Sequence, residues 1–461
     1  MGQWPTRTPT GAPPPDATPR RRRRRRLGGS LRGVLSIAAG SASGQLLLVL
    51  AAPVLARLYG PADFGLFAVL ATLAATVGAV AAGRFELAVP LPELDREAHD
   101  LALVGLVAAL GTALVGTVVV AVARDEIAAL FDHPALGTWL WLTPWTAAAM
   151  AAVQVLNQLA IRYRRYAAIG RRNFLQSVAT LLTQLGVGAI GLRSGGLALG
   201  LGAGHLVGAL SLLPGARLRT ADPPPEQPRR RMWRVAVRHR RFPLLLAPAG
   251  LLNVLGLQLP VLLIAYYYGA EVAGWFGLAQ RMLAMPVALI GTAIAQVYLA
   301  ELSQAARTGG GNAAALFLRT SRHLGMIAAA GVLLIGFGAP WAFAIAFGHE
   351  WTTSGAYAQA LAVYVAAQFV GSPVSQTLIV FGRQNLQLAW DAGRALLVGA
   401  AVAGTALSGA SALAAVWAFG LSAAVAYGAS WLLSLYVVTR ARRHAPPANA
   451  EPEPLTLTGG R

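Results

Sequence analysis

Apolar residues along this chain do not alternate with polar ones on a narrow face; they run almost unbroken for some twenty positions at a time. At 1.5 Å per residue, ~20 apolar residues cross the ~30 Å hydrocarbon core of a bilayer. Twelve runs of that kind, each bounded by charge or turn residues, lie at 31–56, 64–82, 101–123, 138–161, 173–192, 195–213, 242–266, 272–299, 324–347, 356–380, 386–407 and 412–438. The eleventh is interrupted by Asp391 and Arg394. The pattern predicts an all-α polytopic membrane protein of about twelve transmembrane helices.

Composition and charge refine this picture. The chain is 56% hydrophobic and 12% charged, against about 25% charged residues in soluble proteins. The formal charge of +20 comes entirely from Arg, since no Lys is present. Its distribution points to membrane orientation and not to nucleic acid. With the N-terminus inside, the inner loops carry Arg84 and Arg96, then Arg162, Arg164, Arg165, Arg171 and Arg172, then nine Arg between Arg217 and Arg241, then Arg307, Arg319 and Arg322, then Arg383 and Arg394. The outer loops carry Arg57, Arg124 and Arg193. Positive charge collects on the cytoplasmic side, so both termini are expected there, in a multi-pass protein of the cell membrane. Trp139, Trp141, Trp145, Trp275 and Tyr266–Tyr268 fall at the expected outer ends, as interfacial aromatic residues do. With no Cys in the chain, disulfides, thiol catalysis and Cys-based metal sites are excluded.

The expected organisation is a disordered polybasic tail (1–30, with seven Arg from Arg20 to Arg26), a six-helix lobe (31–213), a cytoplasmic linker (214–241, with Pro223–Pro225), a second six-helix lobe (242–438) and a disordered tail (439–461). Internal similarity supports two homologous halves. Tyr59, Gly60, Gly65 and Phe67 recur as Tyr268, Gly269, Gly274 and Phe276, at a constant offset of 209. An even number of helices per half makes the repeat parallel, about an axis along the membrane normal.

Polar residues within the runs mark candidate chemistry. The fifth run places Gln176, Thr180, Thr183 and Gln184 on one helical face. The tenth carries Gln368, Ser372 and Gln376, the fourth Gln154, Asn157 and Gln158, and the first Ser41 and Gln45. Such faces turn away from lipid, either to line a hydrated central cavity or to join helices by hydrogen bonds. Arg281 lies about ten positions into the eighth run, roughly 15 Å deep, where an unpaired charge is costly and points to function. A polar contact with Gln258 or Gln280 is the structural alternative. Arg57, Arg84 and Glu86 stand at run ends, where snorkelling and anchoring also account for them.

The stretches Arg57-Leu58-Tyr59-Gly60-Pro61-Ala62-Asp63-Phe64-Gly65-Leu66-Phe67, Arg84-Phe85-Glu86-Leu87-Ala88-Val89-Pro90-Leu91-Pro92 and Leu278-Ala279-Gln280-Arg281 with Pro286 resemble the polysaccharide-biosynthesis (oligosaccharide) flippases of the multidrug/oligosaccharidyl-lipid/polysaccharide exporter superfamily. That resemblance implies two six-helix lobes in a V around a central cavity. It also implies export of a polyprenyl-diphosphate-linked oligosaccharide by alternating access, with Arg281, Arg57 and Arg84 as candidate diphosphate ligands. Apart from the resemblance, the acids near inner ends, Glu86, Asp391 and Glu301, are candidates for proton coupling, with solvated anchoring as the alternative. No enzyme activity, cofactor or metal is expected. The expected partners are membrane lipids, the lipid-linked oligosaccharide, and the polymerase and glycosyltransferases of its pathway. Two rival readings are a cation-coupled multidrug exporter of the same superfamily and a membrane polysaccharide polymerase.

Overall fold

The computed structural model describes residues 19–216, 227–307 and 313–443. Among the described residues the chain is helical, with no strand. Its helices are α1 (Pro19–Leu58), α2 (Pro61–Gly78), α3 (Asp95–Leu130), α4 (Pro134–Trp139), α5 (Leu142–Arg162), α6 (Tyr166–Ala189), α7 (Arg193–Ala216), α8 (Pro228–Arg238), α9 (Ala247–Arg307), α10 (Ala313–Phe347), α11 (Thr352–Val374), α12 (Gln376–Val380), α13 (Gln384–Leu407) and α14 (Ala412–Arg443). Gly269, with φ 86°, breaks α9 into two spans; this left-handed backbone suits Gly, which has no Cβ to clash. Twelve spans result, six before α8 and six after it.

Among the described residues seven helices, with α9 taken as one, are long and apolar enough to cross a membrane by length and composition: α1, α2, α3, α7, α9, α10 and α14. The remaining full-length spans, α5, α6, α11 and α13, are the fourth and fifth of each half. They are less apolar because they carry the amide and charged positions. Packing repeats as well. In the first half α1 meets α6, α2 meets α5 and α7, α3 meets α5, and α7 meets α5 and α6. Six spans along, the first part of α9 meets α13, the second part meets α11 and α14, α10 meets α11, and α14 meets α11 and α13. The two lobes are therefore parallel copies of one six-span packing plan.

The lobes are joined where α2 crosses α9. A methyl group on Gly65 would overlap the carbonyl of Ala270, and one on Gly274 would overlap the carbonyl of Pro61. Both pairs obey the offset of 209, so the crossing is reciprocal about the repeat axis. Lipid supplies no hydrophobic drive for helix association, and small residues let backbones approach closely enough to pack. Trp351 seals the same end: its indole N–H donates to the carbonyl of Ala56 at 3.1 Å, and its ring meets Phe64 edge-on at 4.9 Å.

Several expected boundaries move. The seven-Arg run is helical, because α1 starts at Pro19 and not near residue 31; Pro suits a first helical turn and Arg is a good helix former. At the other end α14 continues to Arg443, past the expected lobe end at 438. The expected tail segments 1–18 and 444–461 lie outside the described residues. The linker is not wholly irregular either: 217–226 lie outside the described residues, but α8 follows. Arg231 of α8 donates twice to the buried Asp100 of α3, at 2.6 and 2.8 Å, and Arg238 pairs with Glu97 at 3.2 Å. An isolated 11-residue helix is marginal in water, so tertiary pairing accounts for a helix that periodicity did not reveal.

Candidate functional site

Arg281 stands on the inter-lobe face of α9. Gly274 faces Pro61 and Gly277 faces the methyl of Ala68, both on α2, and Arg281 continues the same face at i, i+3 and i+7. It lies twelve residues beyond Gly269, about 18 Å along the helix from the sealed end. Arg281 is half-buried, and among the described residues no hydrogen bond or ion pair reaches its guanidinium. Neither Gln258 nor Gln280 serves as its partner. Its charge is thus uncompensated, on the face shared by the two lobes.

Arg84 and Glu86 lie at the other end of α2, where a 3-10 turn (Phe85–Leu87) follows Arg84 at φ 58°. The Arg84 guanidinium packs on the backbone of Gly250 at the start of α9, so it reaches from one lobe to the other. It also pairs with Glu86 at 3.6 Å. Glu86 is 3% exposed, and neither of its carboxylate oxygens has a hydrogen-bond partner. Burial pushes its carboxyl above the ordinary value, opposed by the nearby positive charge of Arg84. Arg84 and Arg281 both border the contact between lobes. Arg57 does not join them; it is exposed at the far end of α1.

The polar faces of the first half mostly join helices. Asn173 donates to Ser41 at 2.6 Å, fastening α6 to α1. Gln184 donates to the carbonyl of Leu197 at 3.0 Å, and Thr180 is buried against Gly204. Asn157 and Gln176 accept from Arg172 at 3.1 and 3.0 Å, and Gln176 meets His205 at 3.2 Å. Arg172 and His205 were not among the expected site residues. In the sequence Arg172 reads as an inner-loop charge, although its i, i+4 spacing to Gln176 carries the signal. Gln45 is exposed on α1, and Gln154 is half-buried on α5.

In the second half, Gln368 donates to the hydroxyl of Tyr427 at 3.0 Å, inside an aromatic group with Tyr364 and Trp390. Arg394 lies over Trp390 at 5.1 Å and pairs with Asp391 at 3.6 Å, which explains how the eleventh span tolerates two charges. Ser372 is exposed and Gln376 half-buried at the start of α12. An apolar cavity of about 120 Å³ opens between α9, α10 and α11 around Pro286, Ile327 and Phe369. Among the described residues no cluster of three metal-ligating side chains occurs.

The pattern of the polysaccharide biosynthesis proteins matches residues 54–356. The teichuronic acid biosynthesis protein TuaB of Bacillus subtilis (strain 168) is 27% identical over 197 residues, which are 41% of this chain and 38% of that protein. The match thus spans well under half of that relative's length. Among solved structures, the lipid II flippase MurJ in an inward closed conformation is similar at a TM-score of 0.66 and 11% identity, over 90% of each chain. An inward-facing multidrug resistance MATE family transporter of the MOP superfamily is similar at 0.57 and 15%, over 90% of this chain and 96% of that one. A MOP superfamily transporter from Pyrococcus furiosus Vc1 (DSM3638) is similar at 0.58 and 14%, over 89% and 96%. At these identities the likeness establishes the fold.

Proposed function

The chain belongs to the polysaccharide biosynthesis protein family, and from that premise we propose that it is a flippase of the cell membrane. It moves a polyprenyl-diphosphate-linked oligosaccharide from the inner to the outer leaflet by alternating access, with both termini in the cytoplasm. The observation that carries this reading is Arg281, an uncompensated guanidinium on the inter-lobe face. A guanidinium binds phosphate oxygens through two parallel N–H donors, and low dielectric strengthens that attraction. The diphosphate docks at Arg281 while the polyprenyl tail stays in lipid. Arg84, at the lobe contact, is the second candidate ligand for the diphosphate.

Sealing of the α2–α9 end and its release on rocking of the lobes give the two access states. An inside-negative potential favours export, by about 2.3 kcal/mol per negative charge per 100 mV. Glycosyltransferases of the inner face supply the substrate, and a polymerase of the outer face consumes it. The transporter carries out no bond chemistry in this scheme.

The test is flipping of a lipid-linked oligosaccharide in proteoliposomes. Arg281→Ala is expected to lower the rate more than tenfold, and Arg281→Lys, which keeps charge but loses the fork, to lower it less. Normal flipping by Arg281→Ala removes the site. Export of cationic drugs by the same proteoliposomes would replace the reading with that of a multidrug exporter.

A further inference from the structure

The first half holds a second cavity, away from the lobe interface. It lies among the C-terminal end of α5, the first turns of α6 and the last turns of α7, and has a volume of about 230 Å³. Its wall is graded. Leu156, Leu159 and Leu212 are each under 5% exposed, whereas Arg165 and Arg171 are exposed. Arg171 spans the opening by donating to the backbone carbonyl of Ser211 at 3.5 Å, so its guanidinium is held across from α7. Arg165 directly precedes α6 and Arg171 is five residues into it, which puts both cations within about 8 Å of the end of a membrane span. Phosphate groups of a bilayer lie at that depth.

Pseudo-symmetry sharpens the point. At the corresponding ends of α11, α13 and α14 the short α12 packs against α9, α13 and α14; its Leu378 is fully buried and its Thr377 bonds the hydroxyl of Tyr298 of α9 at 2.7 Å. One fold, used twice, is filled in one copy and left open and cationic in the other.

We propose that this cavity binds an anionic glycerophospholipid, its phosphate held by Arg165 and Arg171 and its glycerol and upper acyl carbons laid against Leu156, Leu159 and Leu212. Two guanidiniums supply the charge-assisted donors that a phosphodiester accepts, and the apolar floor distinguishes a lipid from a soluble phosphate. The site lies in one half alone, next to the loop of α5 and α6, and its occupation does not depend on which substrate is flipped.

Native mass spectrometry of the delipidated full-length protein tests it, with phosphatidylglycerol, phosphatidylcholine and inorganic phosphate as separate probes. Phosphatidylglycerol is expected to bind roughly tenfold more tightly than phosphatidylcholine, and Arg165→Ala with Arg171→Ala to remove that preference. Ala168→Trp, which fills the cavity and leaves both charges, is expected to reduce phosphatidylglycerol binding as well. These substitutions lie away from the lobe crossing, so retained thermal stability separates lost binding from misfolding. Equal binding of the two lipids, an unchanged preference in the double variant, or displacement of phosphatidylglycerol by millimolar phosphate would each overturn the proposal.

Discussion

The two halves share a packing plan and differ in what it encloses. Between α5, α6 and α7 the first half encloses guanidinium, amide and imidazole groups: Arg172, Asn157, Gln176 and His205. At the equivalent place among α11, α13 and α14 the second encloses aromatic rings, two amides and an ion pair: Tyr364, Tyr427, Trp390, Gln368, Gln387, Asp391 and Arg394. The crossing itself, Gly65 against Ala270 and Gly274 against Pro61, is the same on both sides. Backbone proximity at the axis tolerates no side chain and so keeps both copies alike, whereas the interior of each lobe accepts any set of groups that satisfies its own hydrogen bonds.

The largest effects should come from the shared part. Gly65→Leu and Gly274→Leu each force a side chain into a carbonyl and are expected to destabilise by about 3 kcal/mol, with more than tenfold loss of transport. Thermal melting in detergent should rank them together, and a wide gap between the two would break the equivalence. Asp100→Asn acts on the first half alone. Removing one partner of a buried ion pair leaves Arg231 uncompensated and is expected to cost about 3 kcal/mol at most, read as a lower melting temperature with α8 opened to proteolysis.

A smaller effect depends on pH. The Glu86 carboxyl is raised by burial, so the folded state holds its proton more tightly than the unfolded chain does. Its stabilising contribution is complete below the ordinary carboxylate value of 4.5 and is lost as pH rises through the raised value. Melting temperature of the native protein should fall over that window and stay level in Glu86→Gln; parallel curves would exclude Glu86 as the titrating group. Arg57→Ala should matter least, shifting stability by under about 0.5 kcal/mol, because the residue is exposed and apart from Arg281. A transport defect as large as that of Arg281→Ala would place it in the site after all.

Much of this fold was legible in the sequence, because a span must be long and apolar whatever it packs against. All twelve runs correspond to helices, and the offset of 209 picked out the two glycines at the lobe crossing. Depth alone singled out Arg281, since a charge mid-span needs a reason to be there. What periodicity could not supply was partnership. Ser41 and Gln184 have the spacing of cavity-lining residues, yet their bonds run to Asn173, 132 residues away, and to the Leu197 backbone on the next helix. Arg172 reads as an inner-loop charge until α5 and α7 bring Asn157 and His205 beside the Gln176 that binds it. The helix α8 is hidden for the same reason, because Asp100, which holds it, lies 131 residues away.

The docking of α8 has a mechanical consequence. On the sequence alone, 28 residues connect the two lobes, a tether loose enough to permit almost any relative displacement. With Arg231 bound to Asp100 and Arg238 to Glu97, that slack is taken up on the first lobe. What remains between the docked helix and α9 is the few residues from His239 through the single π-helical turn Phe242–Leu246, whose Phe242 packs on the first-lobe cluster around Phe85. The second lobe is therefore attached by a short crank and not by a leash. Under the proposed rocking of the lobes, its travel would be confined between the glycine crossing at one end and this short segment at the other.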